Sequence, residues 1–489
     1  MRSSSENGVR DATEQTPLLS SINNTVNTEQ HHDDGSKPDE KPLPIWQIAA
    51  LCYARWVEPV AFFSIFPYIN QMAQENGQLA DTDVGFYSGL IESLFSLTQM
   101  LVMVLYGRAA DRVGRKPVLV FSLTGVSFAT MLFGLARTIP QMIIFRCLAG
   151  VFAGTIVTIR TMLSELSTPA TEARVFSWFA FTGNLGILIG PLIGGALVDP
   201  AHQYPSLFGH IRFFHDYPYV LPSLVIGTIG LTAVAVTSLF VQETLVKAKQ
   251  PYPLNGSSLG TPSKPPSTWN LAKSPGVPIV LYTYGHIMLL AYSYTAIIPI
   301  FWFTKVSLGG LGFTPLQISL MLGLNGLAQA IWTLLVYPPL HARIGTNGIL
   351  RACAIAYPFF FGTCPLMNAL LRSNIPGAES IFWAVAPPLL CLGVGVSMCF
   401  TAIQLALNEV SPSPVTLGTL NALALAISSG VRSFSPALFA SLFAVGARTQ
   451  ALGGYAIWVL MVVLAGGFTV VSRRMPDYEA IRRARIERE

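Results

Sequence analysis

Apolar residues run in stretches of about 20 along nearly the whole chain, cut by short polar turns. Such a stretch matches the length an α-helix needs to cross a hydrocarbon layer of ~30 Å, where backbone groups must be satisfied within the protein. The pattern predicts twelve membrane spans, at 45–68, 86–106, 118–136, 140–160, 174–198, 219–241, 277–303, 314–339, 349–371, 380–405, 417–445 and 452–472. The first 44 residues, rich in Ser, Asn, Thr, Glu and Asp, cannot bury enough apolar surface to fold and lack the apolar run of a signal peptide. They read as a disordered tail.

The polar stretches set the organisation. The longest internal one, 243–276, is rich in Pro, Ser, Gly and Lys and separates six spans (45–242) from six more (277–472), leaving 473–489 as a basic tail. "DRVGRKPVL" (111–119) after the second span has a counterpart, "ARIGTNGIL" (342–350), after the eighth, which aligns Arg112 with Arg343 and Gly114 with Gly345. The expected fold is an all-α membrane protein of twelve transmembrane helices in two pseudo-symmetric six-helix halves. Basic residues fix its orientation. Arg108, Arg112, Arg115, Lys116, Lys247, Lys249, Lys264, Lys273, Arg343, Arg351 and the Arg-rich end fall on one side, against Arg137, Arg212, Lys305, Arg372 and Arg448 on the other. The richer side is the cytosolic one, and both termini lie there.

Composition agrees: 52% of the 489 residues are hydrophobic and 11% charged, less than half the ~25% usual in soluble domains. The net charge of +5 follows from the cytosolic loops and implies no nucleic-acid partner. Six cysteines, all within or beside spans and without CxxC spacing, indicate neither disulfides nor a metal site. No loop carries a metal triad, a phosphate-binding glycine loop or a nucleophile elbow, so neither an enzyme nor a cofactor is expected.

An ionisable side chain at mid-membrane costs at least ~2.5–3.5 kcal/mol and is a functional candidate by default. Four stand out: Arg55, Glu58, Glu92 and Arg146. Arg55 and Glu58 share a helical face beside Pro59, and Ser88, Glu92, Ser96 and Gln99 form a stripe along the second span that should face a watery cavity. A carboxylate near an arginine whose pairing changes between conformations could have its proton affinity toggled, which makes Glu58 first and Glu92 second the candidate proton carriers. A permanent Arg55–Glu58 or Glu92–Arg146 pair is the structural alternative.

The second half lacks a central carboxylate. It offers Asn325 and Gln329 one turn apart, Ser397, Thr401, Gln404 and Asn408 on one face, and Asn421, Ser428, Arg432 and Ser435 on another. These suit hydrogen bonding to a small-molecule substrate. Tyr282, Tyr284, Tyr292 and Tyr294 are cavity or belt residues, and His286 reads as a buried, hydrogen-bonded one.

Three motifs carry a family resemblance. Gly107-x-x-x-Asp111-Arg112-x-Gly114-Arg115-Lys116 resembles the loop signature of the major facilitator superfamily, and Gly186-x-x-x-Gly190-Pro191-x-x-Gly194-Gly195 resembles its antiporter signature. Arg146 with Gly150 and Gly154 resembles a third. "ARWVEPVAFFSIFPYI" (54–69) and "VRSFSPALFASLF" (431–443) look most like the twelve-span drug:proton antiporters, in their fungal and plant zinc-induced-facilitator-like branch, although the plant members' Cys-rich cytosolic signature is missing.

The resemblance implies a proton-coupled transporter, most simply an exporter of a small organic molecule working by alternating access as a monomer in the lipid bilayer. A symporter, a uniporter or a non-transporting transceptor is the alternative. It makes Gly107, Asp111, Arg112, Gly114 and Arg115 a gating latch against the eleventh span, which starts near Thr416, with Glu165 as partner of Arg112 or Arg115. It gives the bend at Pro191 a role in limiting leak. "EQTPLL" (14–19) resembles an acidic dileucine sorting signal and favours a vacuolar over a plasma membrane, "HHDD" (31–34) reads as solvated tail, and His202, His210 and His215 share an outer loop.

Overall fold

The computed structural model describes residues 43–168, 171–245, 271–373, 375–411 and 414–476, and among these the chain contains helices and no strand. The first half comprises α1 (Ile45–Phe63), α2 (Ile69–Gly77), α3 (Val84–Val113), α4 (Arg115–Phe133), α5 (Ile139–Phe152), α6 (Thr155–Leu166), α7 (Glu172–Leu197) and, after three short helices, α8 (Val220–Phe240). The second comprises α9 (Val277–Phe303), α10 (Pro315–Ile331), α11 (Tyr337–Arg372), α12 (Ala378–Gly393), α13 (Met398–Val410), α14 (Pro414–Thr449) and α15 (Ala456–Ser472).

Each of the twelve apolar stretches falls on helix. Eight helical runs are long and apolar enough to cross a bilayer, nine with the bent run Val84–Met103 plus Leu105–Val113. One of them, Pro315–Arg372, holds 58 residues. At ~1.5 Å per residue it is long enough for two crossings, and Gly345 divides it. α1 carries Arg55 and Glu58, and α15 has 17 residues; these complete an arrangement consistent with twelve.

Local chemistry explains where the helices stop. Thr314 and Gln317 form a capping box at the start of α10, with Pro315 at its first turn. Gly114 ends α3 and starts α4 at φ 127° and ψ 152°, and Gly345 bends α11 at φ 66° and ψ 179°. Both lie where only glycine is unstrained. The two glycines aligned by the internal repeat thus make the same kind of break.

The apolar core is split. One buried cluster draws only on residues from Leu271 to Met475; the buried members of four others lie between Ile48 and Val241. The two groups meet where α14 packs along α3 and α10 along α7. Small residues permit the approach: a Cβ on Gly89 would strike Ala440 and the Pro436 carbonyl, and one on Gly195 would strike Ser319. Ser93 Oγ accepts from the Ala437 amide at 2.8 Å, Ser319 Oγ donates to the Pro191 carbonyl at 2.7 Å, and Lys305 Nζ reaches Asp81 Oδ2 at 2.6 Å. All three lie toward the end where α3 and α10 begin.

Candidate functional site

The acids of the first half sit around a broken helix. The stretch 140–160, expected as one span, is two helices, α5 and α6, parted at Ala153 and Gly154. A break inside a membrane frees backbone groups that need partners. Side chains supply them: Ser122 from α4 donates to the Phe152 carbonyl and accepts from the Gly154 amide, and Gln99 Nε2 donates to the Ala153 carbonyl at 3.1 Å. Gln99 Nε2 also lies 2.7 Å from Glu58 Oε1, and the Thr155 hydroxyl donates to Glu58 Oε2. Glu58 is therefore buried and tied to the break by two donors.

Arg55, one turn before Glu58, forms no ion pair with it within 4 Å among the described residues. Its guanidinium sits over the Phe179 ring at 4.9 Å, with Nε unpartnered. Glu92 is 5% exposed and has no side-chain hydrogen bond among the described residues. Arg146 and Arg432 act on it electrostatically without pairing. Arg146 lies among the Phe62, Phe95 and Phe133 rings at 5.0–5.8 Å, its Nη2 donating to the Phe62 carbonyl at 3.4 Å. Arg432, from α14 of the other group, lies 4.4 Å above the same Phe62 ring. The two salt pairs weighed from sequence are both open.

A cavity of about 310 Å³ lies elsewhere, walled mainly by the second half. Asn325, Gln329 and Ser397 line it, with Phe63 and Phe66 at the end of α1 and Ile187 and Pro191 of α7 closing the far side. Of the other expected substrate residues, Gln404 donates to Asn421 Oδ1 at 2.7 Å, Ser428 pairs with the Tyr292 hydroxyl at 2.8 Å, and Thr401 and Arg432 are not in the wall. Ser435 pairs with Ser293 at 3.0 Å. The stripe Ser88, Glu92, Ser96 and Gln99 is buried and does not line this cavity, because α3 turns that face into the first half and toward α14. Tyr292 and Tyr294 belong to the wall; Tyr282 is exposed and His286 Nε2 lies 2.9 Å from the Leu464 carbonyl oxygen.

The glycine ladder faces α1. A Cβ at Gly186 would meet Pro59, one at Gly190 the Val60 carbonyl, and one at Gly194 would overlap the Ser64 carbonyl. Gly195 turns the next face to α10, so α7 is held between the two groups of helices.

In the loop between α3 and α4, Arg115 binds Asp111 and, at 3.2 Å, Glu165; Arg112 is exposed. Asp111 is 63% exposed, and Gly107 approaches only Val157. The expected contact at Thr416 falls on a side chain outside the described ones, and the tail stretches 14–19 and 31–34 lie outside the described residues. Sequence reasoning missed Glu243. Its carboxylate accepts from the Arg115 and Lys116 amides at 2.8 and 3.1 Å, capping α4 from 128 residues away. Burial works to raise the Glu243 carboxyl, but the backbone amides of Leu245, Arg115, Lys116 and Thr244 outweigh it and hold the group below its ordinary value. In the loop after α7, Asp199 lies 2.8 Å from His202 and raises its imidazole. Among the described residues no cluster of His, Cys, Asp and Glu suits a metal.

Two groups of membrane-length helices, joined along paired helices and holding a cavity walled mainly by the second group, define a membrane-transporter architecture. A profile of the Major Facilitator Superfamily matches residues 51–440, and the chain belongs to that family. It is 47% identical over 449 residues to the efflux pump azaK of Aspergillus niger, covering 90% of each chain. It is 28% identical over 337 residues to the protein ZINC INDUCED FACILITATOR-LIKE 1 of Arabidopsis thaliana, covering 65% of this chain and 70% of that one. In fold it is similar to a bacterial homologue of the human lysosomal transporter Spinster in an inward-facing, occupied conformation, with TM-score 0.62 and 15% identity over 89% of this chain and 98% of that one. The drug-efflux type of the superfamily read from the motifs agrees with the efflux-pump relative, and the family is one of transporters, not enzymes.

Proposed function

We propose that the chain is a proton-coupled antiporter that exports a small organic molecule by alternating access. The halves 45–242 and 277–472 rock as bodies joined by the linker 243–276, with both termini in the cytosol. Protons are carried by Glu92 and Glu58, and the chain works as a monomer. The dileucine-like tail supports a vacuolar membrane.

The observation that carries this reading is the placement of Glu92. It is buried at mid-helix, without a side-chain hydrogen bond among the described residues, and within the influence of Arg146 from its own half and Arg432 from the other. Opposite charges favour an ionised carboxylate, and their withdrawal favours the protonated one. A movement that displaces Arg432 would change which form Glu92 prefers. The contacts at the end where α3 begins, with that end on the outer side, fit a state open to the cytosol, and the efflux relative supports the outward direction.

The test is flux in proteoliposomes holding the full chain, with and without an imposed pH gradient. Glu92→Gln should abolish stimulation by the gradient while leaving substrate counterflow within about threefold. Wild-type flux that ignores the gradient refutes proton coupling, and gradient-driven flux in the same direction as the protons makes the protein a symporter.

A further inference from the structure

The wall of the 310 Å³ cavity holds no Asp, Glu, Lys, Arg or His among the described residues. A charged ligand would shed its water there without a counter-charge, which is costly in an apolar site. What the wall does hold is of two kinds. Aromatic rings surround the space: Phe63 and Phe66 on one side, Tyr292, Tyr294, Phe360 and Phe400 on the other, with Tyr294 and Phe360 in mutual contact at 5.0 Å between centroids. Unspent hydrogen-bonding capacity sits among them. Asn325 and Gln329 make no side-chain hydrogen bond among the described residues, and both Asn325 Oδ1 and Ser397 Oγ are buried without a partner. Thr295, by contrast, is spent on the Ala291 carbonyl at 2.9 Å.

Aromatic walls also attract organic cations. Here no acidic side chain stands in the wall to balance one, among the described residues. A carboxylate could accept from the amide NH2 groups, but its charge would be buried with no cation in the wall, and the carboxylate itself leaves the buried Asn325 Oδ1 without a donor.

Resting on the reading of this chain as a carrier of a small organic molecule, we infer that its cavity selects an uncharged, flat aromatic compound that presents a hydrogen-bond donor and acceptor close together, with the Asn325 and Gln329 amides as the specificity determinants. A side-chain amide offers both roles at once and matches such a pair, while offset stacking on the rings orients the plane. The volume sits at the lower end of small-molecule clefts, ~300–1,000 Å³.

The experiment compares three probes on one ring system, binding to the full chain in detergent by tryptophan fluorescence: hydroxynaphthamide (neutral, donor beside acceptor), hydroxynaphthoate (anion) and naphthyltrimethylammonium (cation). The amide is expected to bind at least tenfold more tightly than either ion, and Asn325→Leu should erase that preference. Asn325→Asp should lose the amide and gain the cation, a result that an unfolded variant cannot give. The inference is overturned if either ion binds as tightly as the amide, if none of the three binds, or if Asn325→Leu leaves amide affinity unchanged. No pH gradient is present, so the two readings fail separately: amide binding without gradient-driven flux sinks proton coupling alone, and gradient-driven flux with tight ion binding sinks this inference alone.

Discussion

Lys305 Nζ lies 2.6 Å from Asp81 Oδ2, so the turn before α3 is bonded to the turn after α9, in the other group of helices. Gln74 also donates to Asp81, at 2.6 Å. The Lys305 ammonium holds the Asp81 carboxyl below its ordinary value. A depressed carboxyl stabilises the joined form at pH above the ordinary value, ~3.9, and that contribution is lost as pH falls through the lowered one. Mild acid therefore leaves this clasp intact. Lys305 is 68% exposed, which limits the pair to ~0.2–1 kcal/mol. Asp81→Asn should shift the population toward separation of this end by about fivefold at most, read by spin-label distances across it. A wild-type shift between pH 7 and pH 6 that Asp81→Asn abolishes would contradict the assignment.

The contact of α7 on α1 has no spare room at Gly194, where an added Cβ overlaps the Ser64 backbone carbonyl. Gly194→Val should cost ~1–3 kcal/mol by overpacking and lower the thermal unfolding midpoint in detergent. Gly362, in α11, has nothing beyond its own helix within 4 Å of an added Cβ among the described residues, and Gly362→Ala should be neutral or stabilising by up to ~1 kcal/mol. Equal midpoints for the two variants would remove the argument for close packing.

Gln99 serves two acceptors, Glu58 Oε1 and the Ala153 carbonyl. Gln99→Leu strips both, at ~1–3 kcal/mol for each buried group left unmet. Unfolding of Gln99→Leu should come well below that of Ser96→Ala, one helical turn earlier, whose hydroxyl has no partner to lose. Similar stability in both would show that the break between α5 and α6 is held by something else.

Gly345→Ala isolates backbone strain, because beyond its own stretch of backbone the new Cβ meets nothing within 4 Å among the described residues. At φ 66° and ψ 179° the substitution should cost ~1–3 kcal/mol. Thermal unfolding of purified protein measures it, and an unchanged midpoint would mean that the bend relaxes freely.

Much of this was legible in the sequence because a membrane leaves few options. Apolar runs of fixed length located the helices, and the match of Gly114 with Gly345 located equivalent breaks. The motif Gly186 to Gly195 announced a close approach, although not that its partners are α1 for three glycines and α10 for the fourth. Helical periodicity tells which residues share a face and is silent about what the face meets. Ser88, Glu92, Ser96 and Gln99 do share one, yet it is buried in protein and away from the cavity. Glu243 was invisible because its targets are backbone amides, which no residue pattern records. Phe66, Phe360 and Phe400 were hidden as ordinary apolar residues, since nothing in a phenylalanine distinguishes lipid-facing from cavity-facing use.

The ring of Phe62 has Arg432 above it at 4.4 Å and Arg146 beside it at 5.8 Å, one guanidinium from each group of helices. They share a seat, and both act on Glu92 without pairing with it. Any tilt of one group against the other slides Arg432 along that seat while Arg146 travels with the ring, so in this molecule a change of shape is already a redistribution of positive charge over Glu92.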